Sequence, residues 1–292
     1  MRKTPNFTLK KLVLALAIAG YTMSSAYAVL TNPTGAIQGT APVLSAPSNN
    51  APQAVDLSSS SGGNTLATGD TITLTYDYHD ADGDADNSTA HVNWYYVKGE
   101  IETPITTGIE NAPATGNSSG TSKLTIPGIA IGADRIKVVI QEYSATGAPI
   151  SGKTLTIEDT NSGIGGGTTT PPGPILPGEG PDSGVTPGIY LSSDTAFANN
   201  LIGTATPLKV GDSYVFRLTD SESGADLTEN VSYNWRLVGT SATTGTAAPA
   251  TGFATSITDG NFTVPTNTQP NGTELTGSAD GAQGFNLAVD YN

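Results

Sequence analysis

Two stretches of the chain carry the same pattern, and they decide its fold. The first reads GDTITLTY at residues 69–76 and, after an acidic turn, VNWYYV at 92–97; the second reads GDSYVFRL at 211–218 and YNWRLV at 233–238. Apolar and polar residues alternate in these stretches, which is the pattern of a β-strand with one buried face. The spacing from Gly-Asp to Asn-Trp is nearly the same in both copies. The sequence therefore predicts two related β-rich units.

Further landmarks recur in the same order around these stretches. They are LSS at 57–59 and 191–193, APATG at 112–116 and 248–252, and TIP at 125–127 matched by TVP at 263–265. Each copy spans about a hundred residues, which is the size of one sandwich domain. Thr, Ser, Gly, Val and Tyr are abundant, and they favour strands and turns. The predicted fold is all-β, with two immunoglobulin-like β-sandwich domains joined by a flexible Gly/Pro-rich linker.

Composition divides the chain into five predicted segments. They are a signal peptide at 1–28, an irregular leader at 29–40, a first domain at 41–158, a linker at 159–187 and a second domain at 188–292. The linker holds three consecutive glycines and six prolines, which predicts a flexible, partly extended connection and two domains without a fixed interface. No stretch after residues 285–291 matches the closing strand at 153–157. The second domain is therefore expected to lack its last strand, with a fragment of a longer protein as the favoured explanation.

The first 28 residues have the three parts of a secretory signal peptide. Four basic residues precede an apolar run at 12–20, and AYA at 26–28 provides a small-residue cleavage site. The run is too short to span about 30 Å of hydrocarbon, which needs roughly 20 residues. We therefore expect a soluble exported protein without membrane insertion.

Charge and cysteine content limit the classes of function. The chain has no cysteine and a formal net charge of −14, which becomes −18 without the four basic residues of the signal peptide. A strongly acidic surface repels nucleic acid and anionic lipid, so neither is an expected partner. Without disulfides, each domain must be held together by its packed core.

Candidate catalytic motifs are weak. Residues 147–154 fit the phosphate-loop pattern, but a β-forming segment follows where the motif requires a helix, so we interpret them as a hairpin turn. His79 and His91 are the two histidines, and we expect both to be exposed at strand ends. There is no nucleophile-elbow motif and no dinucleotide fingerprint. The sequence predicts that the protein is not an enzyme and needs no cofactor.

The acidic turn between the first two strong strands is the candidate metal site. Its carboxylates alternate along the chain: Asp80, Asp82, Asp84 and Asp86. Carboxylate oxygens suit calcium, but the glycine and glutamate positions of an EF-hand loop are not present. The alternative is a solvated turn, in which Asp and Gly suit the tight backbone. Trp94 and Trp235 are interpreted as core anchors, with Tyr95 on the opposite face of its strand.

A family resemblance follows from these motifs. The run YDYHDADGD at 76–84 with VNWY at 92–95 resembles bacterial immunoglobulin-like adhesion domains. The FTLKK start at 7–11, the LTNPTG leader at 30–35 and the paired domains are similar to SinI-type proteins, which accompany intimin/invasin-like inverse autotransporters and resemble the exported partners of the Zir system. The resemblance implies a non-enzymatic protein secreted through the periplasm of a Gram-negative bacterium to the medium or cell surface.

The same resemblance suggests partners. It implies an outer-membrane β-barrel autotransporter as the partner, with a host or bacterial surface ligand as a further target. The predicted function is that of an accessory protein that modulates adhesion. The alternative is a calcium-stabilised extracellular adhesin or matrix fragment that binds the ion at the acidic turn.

Overall fold

The computed structural model describes residues 30–266 and 275–292, and its regular structure is almost entirely β. The described helical residues form three short 3-10 turns, Ser88–His91, Gly128–Ala130 and Thr228–Asn230. Residues 39–292 form one compact unit, while the leader up to residue 38 is separate and has no strand among residues 30–38. Within the described ranges, no helix is long and apolar enough to cross a membrane. The predicted signal peptide lies outside the described residues.

Nine strands in residues 43–157 form two antiparallel sheets. The strands are Val43–Ser45 (β1), Asp56–Ser59 (β2), Thr71–His79 (β3), Val92–Lys98 (β4), Ile101–Ile105 (β5), Ile109–Ala112 (β6), Gly120–Thr125 (β7), Arg135–Tyr143 (β8) and Ser151–Ile157 (β9). One sheet has the order β1-β3-β7-β6, with β2 also paired to β3, and the other has the order β5-β4-β8-β9. Apolar residues of both sheets share one buried core, so the two sheets face each other. We call this part of the chain the first half.

Six strands in the described part of residues 185–291 form two three-stranded sheets, which we call the second half. The strands are Val185–Leu191 (β10), Ser213–Asp220 (β11), Tyr233–Val238 (β12), Phe253–Thr258 (β13), Phe262–Thr263 (β14) and Asn286–Tyr291 (β15). The sheet orders are β10-β11-β14 and β13-β12-β15. A second core contains apolar side chains from both sheets. β10 begins at residue 185, so the strand starts slightly before the predicted boundary at 188.

The two Gly-Asp landmarks occupy equivalent places, which confirms the internal repeat at the level of hydrogen bonds. In the first half, the Gly69 N–H donates to Ile126 O over 2.9 Å, and the Ile126 N–H donates to Asp70 O over 2.9 Å. In the second half, Gly211 and Val264 form the corresponding bond over 2.8 Å, and the Val264 N–H donates to the Asp212 carbonyl oxygen over 3.0 Å. The matching TIP and TVP motifs therefore end equivalent strands.

The two tryptophans lie in the cores, as the alternation predicts. Trp94 and Trp235 are almost completely buried. Trp94 lies opposite Val138 on β8, and Trp235 lies opposite Val289 on β15. These registers align β4 with β12 and β8 with β15. Tyr95 is partly exposed and lies opposite Lys137 across the strand pair, in line with its predicted place on the other face.

The predicted flexible linker differs from the observed structure along most of its length. Residues 159–178 lie against the first half: Thr168 O accepts a hydrogen bond from the Leu57 N–H over 3.1 Å, and the backbones of Leu66 and Leu176 are also bonded, over 3.0 Å. The Ile175 side chain is buried in the first core. Glycine and proline content favours a flexible connection, but backbone hydrogen bonds and one buried apolar side chain fix this segment.

The two halves also contact each other, which corrects the prediction of no fixed interface. Ile131 belongs to the sequence of the first half, yet its side chain is buried in the second core with Val185 and Leu218. Lys98 Nζ donates to Asn230 Oδ1 over 3.1 Å, so a polar contact accompanies the apolar one. The halves are therefore joined by direct packing as well as by the chain between them.

Candidate functional site

Three of the four predicted metal-ligating aspartates come together. Asp80, Asp82 and Asp84 each offer one carboxylate oxygen, and these oxygens all lie within 4.8 Å of one another. The turn is held by the Asp80 side chain, whose Oδ1 accepts hydrogen bonds from the Asp82 N–H over 2.9 Å and the Asp84 N–H over 3.2 Å. The other two carboxylates accept hydrogen bonds from the Thr40 N–H and the Thr146 hydroxyl. This arrangement is an aspartate-stabilised turn whose carboxylate oxygens could bind a hard cation.

The structure places Asp86 elsewhere, in a buried structural role. Its carboxylate accepts hydrogen bonds from the Tyr76 hydroxyl over 2.6 Å, the Ser88 N–H over 2.8 Å and the Ala114 N–H over 2.7 Å. Burial first, and then the hydrogen bond to Asp86, raise the pKa of Tyr76 above its ordinary value. Because strand β3 brings Tyr76 to this carboxylate, Asp86 is directed into the core and away from the other three aspartates. Asp86 therefore does not join the other three aspartates of the predicted metal site.

The second half repeats the structural aspartate. The Asp226 carboxylate accepts a hydrogen bond from the Thr228 N–H over 3.0 Å at the start of a 3-10 turn, as Asp86 does from Ser88. Burial alone would raise the pKa of Asp226, but the hydrogen bonds from Thr228 and Arg217 lower it below its ordinary value. The second half therefore keeps an aspartate at the start of its 3-10 turn, as the first half does with Asp86. Its acidic stretch contains fewer carboxylates than that of the first half.

The two histidines do not form a catalytic arrangement with each other. His79 is exposed at the end of β3, as predicted, and its Nε2 lies 3.1 Å from Ser45 Oγ. His91 is half-buried, which corrects the expectation of full exposure. Its ring stacks on Tyr143 with the centroids 3.7 Å apart. Stacking on an aromatic ring explains the burial of His91 without a catalytic or metal-binding role.

The phosphate-loop match is a β-hairpin, as the sequence interpretation predicts. It begins in the turn after β8, and its last four residues lie within β9. The Lys153 amine donates to the Gln53 side chain over 2.7 Å. No helix follows the loop, so the helix N-terminus that would bind phosphate is not formed here.

A groove with a volume of about 820 Å³ lies in the second half. It lies between the connection from β10 to β11 and the last strand. Its apolar lining includes Leu201, Ile202, Leu208, Leu287, Val289 and Tyr291. We call this surface the β15 groove. No strand among the described residues pairs with the edge of β15 that faces away from β12.

A comparison of equivalent strands shows how open the β15 groove is. In β8, the side chains of Ile136, Val138 and Ile140 are completely buried. Their counterparts on β15, aligned by pairing with the tryptophan-bearing strand, are Leu287, Val289 and Tyr291, and all three are only partly buried. The difference arises because β8 has β9 on its second side, whereas β15 has a strand on one side only in the described residues.

The sequence predicts that the second domain lacks its last strand, but it does not predict the groove. A signal was present, because residues 201–210 contain four large apolar residues, Leu201, Ile202, Leu208 and Val210, in a segment without β-alternation. Ile202 and Val210 are indeed exposed. Their convergence with β15 could not be read from the chain, since the two segments are far apart in sequence.

Comparisons with known proteins add no assignment. No protein-family model matches the chain, and no curated protein matches it significantly. The interpretation of function therefore depends on the residues and their arrangement.

Proposed function

We propose that this protein is an exported, non-enzymatic accessory protein that modulates adhesion together with an intimin/invasin-like outer-membrane autotransporter. The β15 groove is the observation that carries this proposal. It combines a strand edge without a paired strand among the described residues and a groove of about 820 Å³ lined by both apolar and polar groups. Such a surface suits recognition of another polypeptide, because a strand edge offers backbone hydrogen bonds and the groove accepts side chains.

Other features support the proposal without deciding it. The N-terminal sequence has the pattern of a secretory signal, and two immunoglobulin-like sandwich domains in tandem are common in surface adhesion. The finer classification of each half as immunoglobulin-like is part of this proposal; so are the Gram-negative origin and the location at the cell surface or in the medium. A host or bacterial surface ligand would be the second target of the same protein.

The test is partner-dependent adhesion. The chain would be expressed in a Gram-negative host with and without an intimin-like barrel encoded beside it in its genome. We expect the barrel to increase the amount of the chain retained on the cell surface and to change the number of cells that adhere. Equal surface retention and equal adhesion in the two strains would contradict the proposal.

The acidic turn supports a second candidate, a calcium-stabilised adhesin. The observation in its favour is the convergence of Asp80, Asp82 and Asp84. Calcium takes six to eight oxygen ligands, and three carboxylates can supply several of them. Added calcium should then raise the melting temperature of the chain, and Asp82→Asn should remove this effect. Ser221→Ala, in the matching turn of the second half, is the control, and an unchanged melting temperature with calcium would reject this candidate.

A further inference from the structure

A second concave surface lies in the first half, at the end of β3. It is a pocket of about 370 Å³ lined by residues 77–79 of β3 and residues 114–118 of the loop that joins β6 to β7. We call it the β3 pocket. The repeated APATG motif, at residues 112–116, leads into this loop. Small-molecule sites have volumes of about 300–1,000 Å³, so the pocket is large enough for a small ligand.

The pocket forms where β3 continues beyond its partner on one side. The pairing of β3 with β7 ends at Tyr76 and Gly120, whereas β1 pairs with the other side of β3 as far as His79. Among the described residues, no strand pairs with residues 77–79 on the β7 side. The loop between β6 and β7 therefore leaves room beside the last residues of β3.

Hydrogen bonds hold the loop that forms the other wall of the pocket. The Ala114 N–H donates to the Asp86 carboxylate over 2.7 Å. The turn at residues 115–118 closes with two backbone hydrogen bonds, over 3.1 and 2.8 Å. The Ser119 hydroxyl donates to Asp77 Oδ1 over 2.6 Å, which fixes this carboxylate against the loop. The pocket is therefore preformed, and one of its charged groups is already oriented.

The lining offers hydrogen-bonding groups of several kinds. A carboxylate, two hydroxyls, a carboxamide and an imidazole line the pocket: Asp77, Thr115, Ser118, Asn117 and His79. Together they provide both donors and acceptors. Because a sugar hydroxyl both donates and accepts hydrogen bonds, a ring with several hydroxyls can bind such a set at several points. A carboxylate that accepts from these hydroxyls forms the stronger, charge-assisted bonds. The chemistry therefore favours a polyhydroxylated ligand over an apolar one.

Charge selects among such ligands. Asp77 contributes a negative charge at the pocket, and the acidic turn at residues 80–84 directly follows β3. The whole protein has a formal net charge of −14. This field repels an acidic sugar or a phosphate, whereas a neutral sugar is not repelled. The ligand class that fits the pocket is therefore a neutral sugar.

We propose that the β3 pocket binds a terminal neutral hexose of a surface glycan, with Asp77 as the main acceptor and Asn117 as a second contact. This inference rests on the proposed function, because it names the chemical class of the surface ligand that an adhesion-modulating protein would recognise. The second half supplies an internal comparison. The Gly-Asp landmarks align Asp77 with Thr219, whose hydroxyl donates to Thr186 O over 3.2 Å, so the carboxylate is not repeated there.

The test is a nuclear magnetic resonance titration of the full chain in the presence of a chelator. The neutral probes are the methyl glycosides of mannose, galactose and glucose, and methyl glucuronide is the acidic probe. At least one neutral glycoside should produce saturable shifts of the amide signals of residues 77–79 and 114–118. We expect saturation at millimolar concentration, since a few hydrogen bonds support only weak binding. The acidic probe should produce no such shifts.

Two variants locate the contact. Asp77→Asn keeps an acceptor for Ser119 but removes the charge, and we expect at least about tenfold weaker binding. Asn117→Ala removes the carboxamide and should also weaken binding. Thr219→Ala, at the matching position of the second half, is the control and should bind like the parent chain. Melting temperatures show whether the variants fold, and Asn117 is exposed on its turn, so Asn117→Ala decides the question if Asp77→Asn does not fold.

Four results would overturn the proposal: no saturable shift with any neutral glycoside, shifts outside the pocket, stronger binding of the glucuronide, or equal binding by the parent chain and the pocket variants. Binding that appears only when calcium replaces the chelator would also overturn it, because the acidic turn would then hold the sugar through the ion. Retention by the barrel is measured separately. If the barrel retains the chain but no sugar binds, this proposal fails and the proposed function stands. If a sugar binds in the pocket but the barrel changes neither retention nor adhesion, the proposed function fails and the sugar site stands.

Discussion

At the scale of single residues, the two tryptophans show what alternation can predict and what it cannot. A strand period of two places Trp94 and Trp235 on the buried faces, because successive side chains point to opposite sides of the sheet. The strand period does not predict which groups accept hydrogen bonds from the two indole N–H groups. The Trp94 indole N–H donates to Ser122 Oγ over 2.9 Å, and the Trp235 N–H donates to Gly260 O over 2.7 Å. These partners are distant in sequence, so only the folded arrangement of strands brings them to the rings.

Replacement of Trp94 tests the phase of β4. Trp94→Ala should destabilise the first half by about 3–5 kcal/mol, because it leaves a large cavity in a packed core. Tyr95→Ala, its neighbour on the outer face, should cost about 1 kcal/mol or less. Urea unfolding followed by circular dichroism would measure both. Similar midpoints for the two variants would show that the assignment of faces on β4 is wrong.

The aspartates differ in how well the sequence predicts them. The turn around residues 80–84 brings its carboxylates together because they are close neighbours with a glycine between them, and this much was predictable. The role of Asp86 was not, because its hydrogen-bond donor Tyr76 is supplied by the preceding strand and Ala114 by a distant loop. In the sequence, Asp86 cannot be distinguished from the other aspartates of the acidic run. In the structure, its burial and its hydrogen-bond donors distinguish it.

Asp56 should make stability depend on pH. Burial alone would raise the pKa of this carboxyl group, but hydrogen bonds donated by Ser48 and Thr168 outweigh it and hold the pKa below its ordinary value. A lowered folded pKa means that the stabilisation is present above pH about 4 and is lost as the pH falls through the folded pKa. Asp56→Asn should therefore lower the melting temperature at pH 7 and have little effect near pH 2. The same loss at both pH values would contradict the assignment.

At the scale of elements, alternation predicts the strands well, and composition misleads about the connection. The patterns at residues 72–78, 92–97 and 136–140 all lie within observed strands. Residues 159–178, part of the predicted linker, were expected to be flexible because of their glycines. Some of these glycines are instead required by close packing. A Cβ at Gly167 would lie 1.8 Å from Val55 O, and one at Gly173 would lie 2.1 Å from Asp134 O. Glycine indicates flexibility or close approach equally well, and the sequence does not distinguish them.

Ile175 should hold this segment in place. Its side chain is 1 % exposed, whereas that of its neighbour Leu176 is 39 % exposed. Ile175→Ala should weaken the contact and accelerate proteolysis within residues 159–178, because cleavage requires local opening. Leu176→Ala is the matched control and should behave like the parent chain. Rapid cleavage of the parent chain within this segment would instead support the flexible linker that composition suggests.

At the scale of the whole molecule, the repeat predicts two similar halves but gives no information about their contact. Internal repetition reports the positions that the halves share, and an interface between them uses positions that differ. Gly128 illustrates this: a Cβ there would lie 2.3 Å from Gly184 O and 2.6 Å from an Asp220 carboxylate oxygen. The repeat does not predict the β15 groove either. In the first half, β9 and the segment after it cover the apolar face of β8, and the described residues of the second half contain no equivalent cover for β15.

Ile131 provides the test of coupling between the halves. It is 1 % exposed and packs in the second core, although it belongs to the sequence of the first half; Ile129, two residues earlier, is 40 % exposed. Ile131→Ala should cost about 2–5 kcal/mol, and the loss should fall on the second half, because the cavity opens there. Calorimetry should then show a lower melting temperature for the second half, or a single transition that separates into two. Ile129→Ala should leave the profile unchanged. If both variants melt like the parent chain, the halves are energetically independent; if Ile131→Ala destabilises only the first half, the side chain belongs to the other core.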